Sequence, residues 1–594
     1  MARRLLCCIL PRWGLTVAGL AAAIVALAAW RLGLDNNPTM GPRRILLFFL
    51  GLGALYLAHH SRVTDLLRRG GPRLEDPPRT DRLPPDQMVT ETHGTNFRDS
   101  PGRLWAVWCL ILPAIFTTYL WLFTAGQWTA APGPTTYYYD MLAEAFASGH
   151  TFLNQVPDPR LARLANPYDP AQRAGIPRCT RGTIGPDCFP LDASYFDGKY
   201  YLYWGPAPAA LLALLKMGGL GRLGDNAIAL FGASALFFFL ALGLVDLWRR
   251  YFSRLPRWLL VPPLLLAGLA YPLPWVLDTP LIYEAAILLA AAFLVAGLAF
   301  AIPVFAAGDH RLWRLALIGA LWGLGFGSRM VLALPVVVLA GAIVWRLYRL
   351  RSTDFLPRSL GKPLAALGLP LVATTILIGV YNLARFSDPL ESGWRYALGG
   401  GGVQFAGLQA VFKWGNIPSN TYNYLFAPAL ISGEFPFLQP LLARHALGPI
   451  QIPHPGLFYA EYVTGLVIST PFLAFAAFLL WFLACGPIEY AKAHGARPQF
   501  AASDQPGLHE LIWPVCLASV AAFLPVLTLY AVTARYLLDV SPLLIILATL
   551  GAWTAYAARG RTPQTRLLIA SAIVLTAGAS GVISVLLALN NLSR

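Results

Sequence analysis

The chain has 594 residues, of which 57% are hydrophobic and only 12% are charged, and its mean hydropathy is +0.56. Soluble domains carry about 25% charged residues, so this composition excludes a soluble globular protein. The formal net charge of +16 would suit a nucleic-acid-binding protein. The arginines, however, collect at the ends of apolar runs and form no basic stripe, so no nucleic-acid partner is expected.

Apolar runs of roughly 20 residues recur along the chain, the length that an α-helix needs to cross the hydrocarbon core. The sequence therefore predicts an all-α polytopic membrane protein with about thirteen transmembrane helices, and not a β-barrel with its short alternating segments. The predicted spans are 13–34, 44–59, 104–125, 226–247, 258–277, 281–305, 313–327, 330–347, 363–383, 457–484, 510–532, 537–557 and 567–589.

Arginine clusters set the predicted orientation. They precede the first span and recur at 249–257, 346–351 and 559–566, and the positive-inside rule places them on the cytoplasmic face. Two long segments, 126–225 and 385–456, then lie on the outer face and are expected to contain interfacial helices. Residues 1–103 are predicted to form a helical hairpin and a cytoplasmic linker rich in Pro, Arg and Asp. Residues 104–594 would form the transmembrane core.

The first long segment begins with the acidic phrase TTYYYDMLAEAFASGH. Asp140 and Glu144 are spaced i, i+4, so a helix would put both carboxylates on one face. One of them could serve as a general base or a metal ligand. The alternative is a solvated polar face near a helix N-terminus. Asp140 is the favoured catalytic candidate, because three tyrosines that include Tyr138 bring it near the membrane.

The same segment ends in LDASYFDGKYYLYWGPAP, where carboxylates flank a run of aromatic residues. Such aromatics are typical of the belts at membrane interfaces. Their clustering beside Asp192 also suits a sugar, whose C–H faces stack on rings while its hydroxyls bond to acids. Asp192 is therefore a further catalytic candidate, and Lys199, Tyr201 and Trp204, together with Tyr138 of the first phrase, are substrate-binding candidates. Asp197 and Gly198 are expected to form a turn.

Two of the seven cysteines, Cys179 and Cys188, bracket the turn-rich stretch TRGTIGPD in this segment. A disulfide between them is expected, because an outer segment lies in an oxidising compartment. Zinc binding is less favoured, since no second Cys or His pair completes a four-ligand set.

Three arginines at predicted outer helix ends are exceptions to the positive-inside rule: Arg329, Arg385 and Arg535. An arginine at that depth needs an anionic partner. Capture of a lipid phosphate is one interpretation, and an internal salt bridge, such as Arg535 with Asp539 at i+4, is the other. Before Arg329, Gly319, Gly323 and Gly327 form a smooth helical stripe that predicts close helix packing.

The chain contains no Walker loop, no dinucleotide-binding glycine motif, no HExxH and no GxSxG in a strand–turn–helix context. ATP-driven transport and serine hydrolysis therefore have no support in the sequence.

Taken in order, these phrases resemble the GT-C superfamily of integral membrane glycosyltransferases, and most closely its protein O-mannosyltransferase and aminoarabinose transferase group. EAFASGHTFL is similar to that group's REMLASGDW, and FDGKYYLYWGPAPAALL to its GKPYFEKPPLLYW. GALWGLGFGSR and ARYLLDVSPLL are similar to its later spans, and YNLARFSDPLESGWRY to uncharacterised bacterial members. The group's first acid would fall at Pro134 or Thr135, and its Glu-Lys at Tyr203 and Trp204.

The resemblance implies transfer of a sugar from a polyprenyl-phosphate carrier to a glycan, lipid or protein acceptor on the outer face of the membrane. The composition, rich in Ala, Arg and Leu, indicates a bacterial host and therefore its inner membrane. Asp140 would then replace the group's acid, and Lys199, Arg329 or Arg535 would bind the lipid phosphate. Some members use a divalent metal, although no ligand cluster in this sequence demands one. Two alternatives stay open: a cell-envelope polysaccharide polymerase or ligase, and a non-enzymatic lipid or sugar transporter.

Overall fold

The computed structural model describes residues 101–128, 135–180, 184–278, 280–351, 360–399, 408–443, 446–447, 450–451, 458–484, 507–559 and 562–592, with parts of 15–58. After an apolar helix at Leu15–Ala26, the helices are α1 Pro101–Phe123, α2 Tyr138–Ala147, α3 Ala207–Met217, α4 Asp225–Tyr251, α5 Val261–Leu269, α6 Ile282–Ala307, α7 Leu312–Ser328, α8 Ala333–Leu350, α9 Gly361–Phe386, α10 Leu408–Val411, α11 Ile417–Thr421, α12 Leu466–Ser469, α13 Ala474–Ala484, α14 Leu508–Thr528, α15 Ser541–Arg559 and α16 Pro563–Leu592.

Short strands occur only in the connecting segments of the described chain. They are β1 Ser194–Phe196, β2 Lys199–Tyr201, β3 Ala429–Ile431, β4 Leu438–Leu442, β5 Ala446–Leu447, β6 Ile450–Gln451, β7 Tyr459–Ala460, β8 Tyr462–Val463 and β9 Ala531–Val532. Strands β1 and β2 form an antiparallel hairpin, β3, β4 and β8 form a small sheet, and β7 runs parallel to β9.

The polytopic helical architecture predicted from the sequence is confirmed. Seven described helices are long and apolar enough to cross a membrane: Asp225–Tyr251, Ile282–Ala307, Met330–Leu350, Gly361–Phe386, Leu508–Thr528, Ser541–Ala558 and Pro563–Asn590. Five more of the predicted spans contain shorter apolar helices. The span 44–59 lies partly outside the described residues, and residues 60–100 of the predicted linker lie wholly outside them. One short apolar helix, α3, was not among the predicted spans.

The most buried helices lie at the centre of the bundle. The apolar stretches of α4, α6 and α15 are 72%, 83% and 83% buried, whereas that of α9 is only 6% buried. An apolar helix with so little protein around it presents its side chains to lipid. Helix α9 therefore lies on the lipid-facing side of the bundle.

The glycine stripe of α7 packs against α9, as the sequence predicts. A Cβ at Gly319 would lie 2.2 Å from the carbonyl oxygen of Leu367, and one at Gly323 would lie 2.5 Å from Thr374 Oγ1. At the end of the stripe, Gly327 adjoins Ala207 of α3. The stripe thus lets α7 approach both α9 and the end of the first long segment.

The two long segments meet at one end of the bundle, called the outer end from here on. Leu398 donates its backbone N–H to the carbonyl of Ala193 at 3.0 Å, and Ser194 Oγ donates to the carbonyl of Gly393 at 2.7 Å. At the opposite end, arginines pair with acids at the helix termini: Arg250 with Asp246, Arg314 with Asp309, and Arg349 with Glu510.

Gly319→Ala is expected to destabilise the fold. Its methyl group would meet a backbone carbonyl, which cannot rotate away, so α7 and α9 must separate. Overpacking of this kind costs about 1–3 kcal/mol in the free energy of unfolding, measurable by denaturant or thermal unfolding of the purified protein in detergent. Gly341→Ala in α8 is the control, because no atom lies within 4 Å of its added Cβ. Equal stability of the two variants would contradict this packing.

Candidate active site

Helix α2 is fixed to the outer end by a carboxylate from another helix. Asp225, the first residue of α4, accepts the N–H groups of Tyr138 and Tyr139 at 2.9 and 3.1 Å. These are two of the donors that a helix N-terminus leaves without intrahelical partners. A negative charge at this position is also favoured by the helix dipole. Helix α2 is consequently buried along most of its length.

Asp140 and Glu144 share one face of α2, as predicted, and both bind the same lysine. Lys216 Nζ lies 2.8 Å from Asp140 Oδ1 and 3.1 Å from Glu144 Oε1. Asp140 is fully buried and also accepts the N–H of Leu223 at 2.8 Å, whereas Glu144 is exposed. Burial raises the pKa of Asp140, and Lys216 acts in the opposite direction. In this structure Asp140 joins α2 to α3 and to the chain beyond it.

Lys199 and Tyr201 lie on the β1–β2 hairpin. Asp197 and Gly198 form its turn with positive φ angles of 47° and 69°, as their sequence suggests. Lys199 is exposed, and its Nζ lies 4.5 Å from the ring centroid of Phe152. Tyr201 is buried, with its ring centroid 5.2 Å from that of Phe386. The two residues therefore face different surroundings on one hairpin.

Arg385 holds this hairpin region to the end of α9. Its guanidinium donates to the carbonyl of Leu202 at 2.7 Å and to Asn382 Oδ1 at 2.6 Å. The same group lies 3.8 Å from the ring centroid of Tyr381. The buried Arg385, a predicted substrate ligand, is thus bound to protein acceptors in this structure.

Trp204 stands beside the end of α7 because Gly205 allows a very close approach. A Cβ at Gly205 would lie 2.2 Å from the carbonyl oxygen of Gly327. The Trp204 ring meets Tyr283 edge-on at a centroid distance of 5.1 Å, and the Tyr203 ring meets Trp394 at 5.4 Å. The indole N–H groups of Trp204 and Trp394 have no hydrogen-bond acceptor among the described residues. Tyr203, Trp204, Tyr283 and Trp394 thus form a continuous aromatic surface, called the aromatic wall from here on.

Asp192 lies next to this wall. Its carboxylate accepts the hydroxyl of Tyr283, the second residue of α6. Burial raises the pKa values of Tyr138 and Tyr203, and the charge of Asp192 raises both further. Asp192 is itself only half-buried. It therefore combines close tyrosine neighbours with access from the outer end.

Arg535 and Arg329 are both paired with acids from distant parts of the chain. Arg535 forms a two-pronged ion pair with Glu461, at 2.8 and 2.9 Å, and lies 3.6 Å from Glu284. Arg329 Nε donates to Asp539 Oδ1 at 2.8 Å, and Arg329 Nη2 donates to Asp539 Oδ2 at 2.8 Å. Both arginines thus form internal salt bridges, the alternative to capture of a lipid phosphate. Arg535 does not pair with Asp539, the example given for that alternative, because Ala534–Asp539 is a 3₁₀-helix, whose i and i+4 positions do not align.

The two arginines and their neighbours form one group at the outer end, the arginine–carboxylate cluster. Arg535 lies 4.8 Å from the ring centroid of Tyr283, which bonds Asp192, and Arg329 lies 5.0 Å from that of Tyr536. The cluster consists of Arg329, Arg535, Asp192, Glu284, Glu461 and Asp539. Among the predicted residues, Asp192, Trp204, Arg329 and Arg535 are thus brought together, whereas Asp140, Glu144 and Lys199 make their contacts elsewhere.

Sequence reasoning missed Glu284, Glu461, Tyr283 and Trp394. A signal existed for Glu284, which is a lone acid at the start of the apolar run LIYEAAILLAAAFLV, because an ionisable residue in a membrane helix marks a functional site by default. Glu461 lies between aromatic residues in FYAEYV and carries no comparable signal.

The structure joins Cys179 and Cys188 through a disulfide within the first long segment. Within the described part of the chain, no group of three His, Cys, Asp or Glu side chains is placed to hold a metal ion.

No protein-family model matches the sequence, and no curated protein does. Among solved structures, the chain is similar to ArnT from Cupriavidus metallidurans bound to undecaprenyl phosphate, with a TM-score of 0.37 and 12% identity, over 82% of this chain and 77% of that one. It is also similar to the apo oligosaccharyltransferase of Archaeoglobus fulgidus, with a TM-score of 0.35 and 13% identity, over 80% of this chain and 56% of that one.

At these TM-scores and identities, neither structure assigns a residue, a substrate or a reaction to this chain.

Lys216→Met is expected to destabilise the protein at neutral pH, because it leaves the buried Asp140 carboxylate without a counter-charge. Breaking a buried pair in this way costs on the order of 3 kcal/mol in the free energy of unfolding. Burial already raises the pKa of Asp140 in the folded state, so protonation at low pH favours the folded form. The difference in the free energy of unfolding between wild type and Lys216→Met should therefore shrink as the pH is lowered from 8 to 5.

Adding Asp140→Asn to Lys216→Met should restore most of the lost stability, which a thermal unfolding series would show. Glu144→Gln is the control. Its exposed pair with Lys216 is worth under about 1 kcal/mol. If neither low pH nor the added Asp140→Asn restores the stability that Lys216→Met loses, the buried Asp140–Lys216 pair is contradicted.

Proposed function

We propose that this chain is a membrane glycosyltransferase that moves a sugar from a polyprenyl-phosphate carrier to an acceptor at its outer end. The observation that carries the proposal is the arginine–carboxylate cluster beside the aromatic wall of Tyr203, Trp204, Tyr283 and Trp394. Such a site offers cations for a phosphate, rings for a sugar face and carboxylates for hydroxyl groups, at the end of a bundle of apolar helices.

Arg535 is the proposed ligand of the donor phosphate, with Arg329 behind it. A guanidinium binds phosphate oxygens through two parallel hydrogen bonds. Cations that are already in place as negative charge develops on the leaving phosphate lower the barrier of the transfer step. Arg535 keeps 18% of its side chain exposed, twice the share of Arg329. It therefore retains capacity to bind an incoming oxygen.

Asp192 is the proposed general base for the acceptor hydroxyl. It is half-buried at the mouth of the cluster, and Tyr283 holds its carboxylate in place. A positioned carboxylate that removes a proton during transfer contributes typically 10²–10⁴-fold to the rate. Asp140 is proposed as a positioning residue, because its buried carboxylate anchors Lys216 and Leu223.

The proposed location is a bacterial inner membrane, with the outer end facing the periplasm. Two features support this orientation. The arginine-rich helix ends lie opposite the outer end, as the positive-inside rule requires, and the Cys179–Cys188 disulfide lies in the first long segment, where an oxidising compartment would maintain it.

The ionised residues of the cluster argue against a transporter. Transporter sites are typically built near the bilayer midplane from interrupted helices. Here Glu284 is near the start of α6, Arg329 follows the last residue of α7, and Asp539 precedes α15. A polysaccharide polymerase or ligase would use the same groups, and the acceptor in the assay distinguishes it from a single-sugar transferase.

The assay is release of polyprenyl phosphate from undecaprenyl- and decaprenyl-phosphate sugars by the purified full chain. The protein is placed in phosphatidylethanolamine–phosphatidylglycerol vesicles, with bacterial membrane extract as the source of acceptor. Asp192→Asn is expected to lower the release rate by about 10²-fold or more. The control is Asp197→Asn, which changes an exposed turn residue of the same segment and should leave the rate unchanged. Full activity of Asp192→Asn would remove Asp192 from the proposed role, and no release from any donor would contradict the proposed function.

A further inference from the structure

The two carboxylates that hold Arg535 differ in how firmly the protein holds them. Glu284 is the third residue of α6, its side chain is 11% exposed, and its Oε2 accepts the N–H of Leu281 at 2.9 Å. The side chain of Glu461 is 29% exposed, and it accepts the Tyr459 hydroxyl at 3.3 Å, beyond the usual O–H···O range. Glu461 is therefore the partner that can leave Arg535 at the lower cost.

The backbone under Glu461 is fixed. Its N–H donates to the carbonyl of Val532 at 2.9 Å, and the N–H of Tyr459 donates to the carbonyl of Tyr530 at 2.9 Å. These bonds tie β7 to β9, close to Arg535 in the sequence. A change of partner at Arg535 therefore requires only a rotation of the Glu461 side chain and no rearrangement of the segment.

Arg329 offers no such exchange. Both of its bonded nitrogens contact Asp539, which has no exposed surface on its side chain, and Arg329 itself is 9% exposed. Breaking this pair would leave an unpaired charge in a buried site, which costs several kcal/mol. Of the two arginines, Arg535 is the one whose guanidinium an incoming anion can reach.

The net charge of the cluster also favours displacement of a carboxylate when a phosphate binds. Two arginines face four carboxylates, those of Asp192, Glu284, Glu461 and Asp539, so the formal charge is minus two when all are ionised. A phosphate added to this arrangement would be repelled by acids at close range, and this repulsion is strong where little water screens it. Rotation of Glu461 away from Arg535 removes one of those charges from the point of binding.

We propose that Glu461 is a displaceable ligand of Arg535, which the phosphate of the lipid-linked donor replaces while Glu284 keeps the guanidinium in place. The inference rests on the proposed function. A guanidinium fork accepts a carboxylate or a phosphate in the same two-pronged geometry, so the two anions compete for one position. Glu461 thereby lowers the affinity for the phosphate headgroup and acts as a specificity-determining residue for the donor.

The test compares wild type with Glu461→Gln in binding undecaprenyl phosphate. The full-length protein in detergent is titrated with the lipid, and binding is followed by tryptophan fluorescence, since Trp204 and Trp394 adjoin the cluster. A neutral glutamine competes less well for the guanidinium, so the Kd is expected to fall by about tenfold. Inorganic phosphate, titrated alone, should bind Glu461→Gln more tightly than wild type, because the headgroup alone uses the vacated position.

Two controls separate this exchange from a structural effect. The first is undecaprenol, which lacks the phosphate and should bind wild type and Glu461→Gln equally. The second is Glu434→Gln, which removes the same charge from the exposed β3–β4 connection and should leave the Kd for undecaprenyl phosphate unchanged. Glu461→Asp, which keeps the charge, should retain the weaker wild-type affinity.

An unchanged or weakened affinity of Glu461→Gln for undecaprenyl phosphate would overturn the inference, as would an equal gain for undecaprenol. These failures are distinct from failure of the proposed function. If wild type releases polyprenyl phosphate in the transfer assay but Glu461→Gln shows no gain in affinity for undecaprenyl phosphate, only the exchange at Arg535 is contradicted. If Glu461→Gln binds undecaprenyl phosphate tenfold more tightly but no donor yields free polyprenyl phosphate, only the transfer activity is contradicted.

Discussion

The outer end of this protein is organised around the pairing of one guanidinium with two carboxylates. Arg535 precedes α15, Glu284 lies in the first turn of α6, and Glu461 lies between β7 and β8, so their contacts join three regions that are distant in the sequence. A buried cation without such partners would cost several kcal/mol. The ion pairs of Arg535 therefore couple the position of the start of α6 to that of the β7–β8 chain and of the chain before α15.

The same constraint explains why the cluster lies at the ends of helices. Charges at the centre of a bilayer are expensive, whereas helix ends and connecting segments can bring arginine and acid together at the edge of the apolar layer. Gly205 then allows the first long segment to approach α7 closely, which places Trp204 against Tyr283. Ionic and aromatic groups meet at one place because each is attached to a helix end of the same bundle.

Most of the architecture could be predicted from the sequence, because it depends on local properties. Apolar length identified the helices, and the exceptions to the positive-inside rule singled out Arg329 and Arg535. The ion-pair partners could not be predicted, since Arg329 lies 210 residues from Asp539, and Arg535 lies 74 residues from Glu461. For Asp140, the i, i+4 pattern correctly indicated a helix face shared with Glu144, but the burial of Asp140 against α3 depends on Lys216, which no local pattern reveals.

The most direct test of this account is an electron cryo-microscopy structure of the full chain in lipid nanodiscs with undecaprenyl phosphate. The account predicts the phosphate at the outer end, with its oxygens about 3 Å from the guanidinium nitrogens of Arg535, beside the aromatic wall and Asp192. A phosphate bound instead at the arginine-rich opposite end, with the Arg535–Glu461 pair undisturbed, would contradict it.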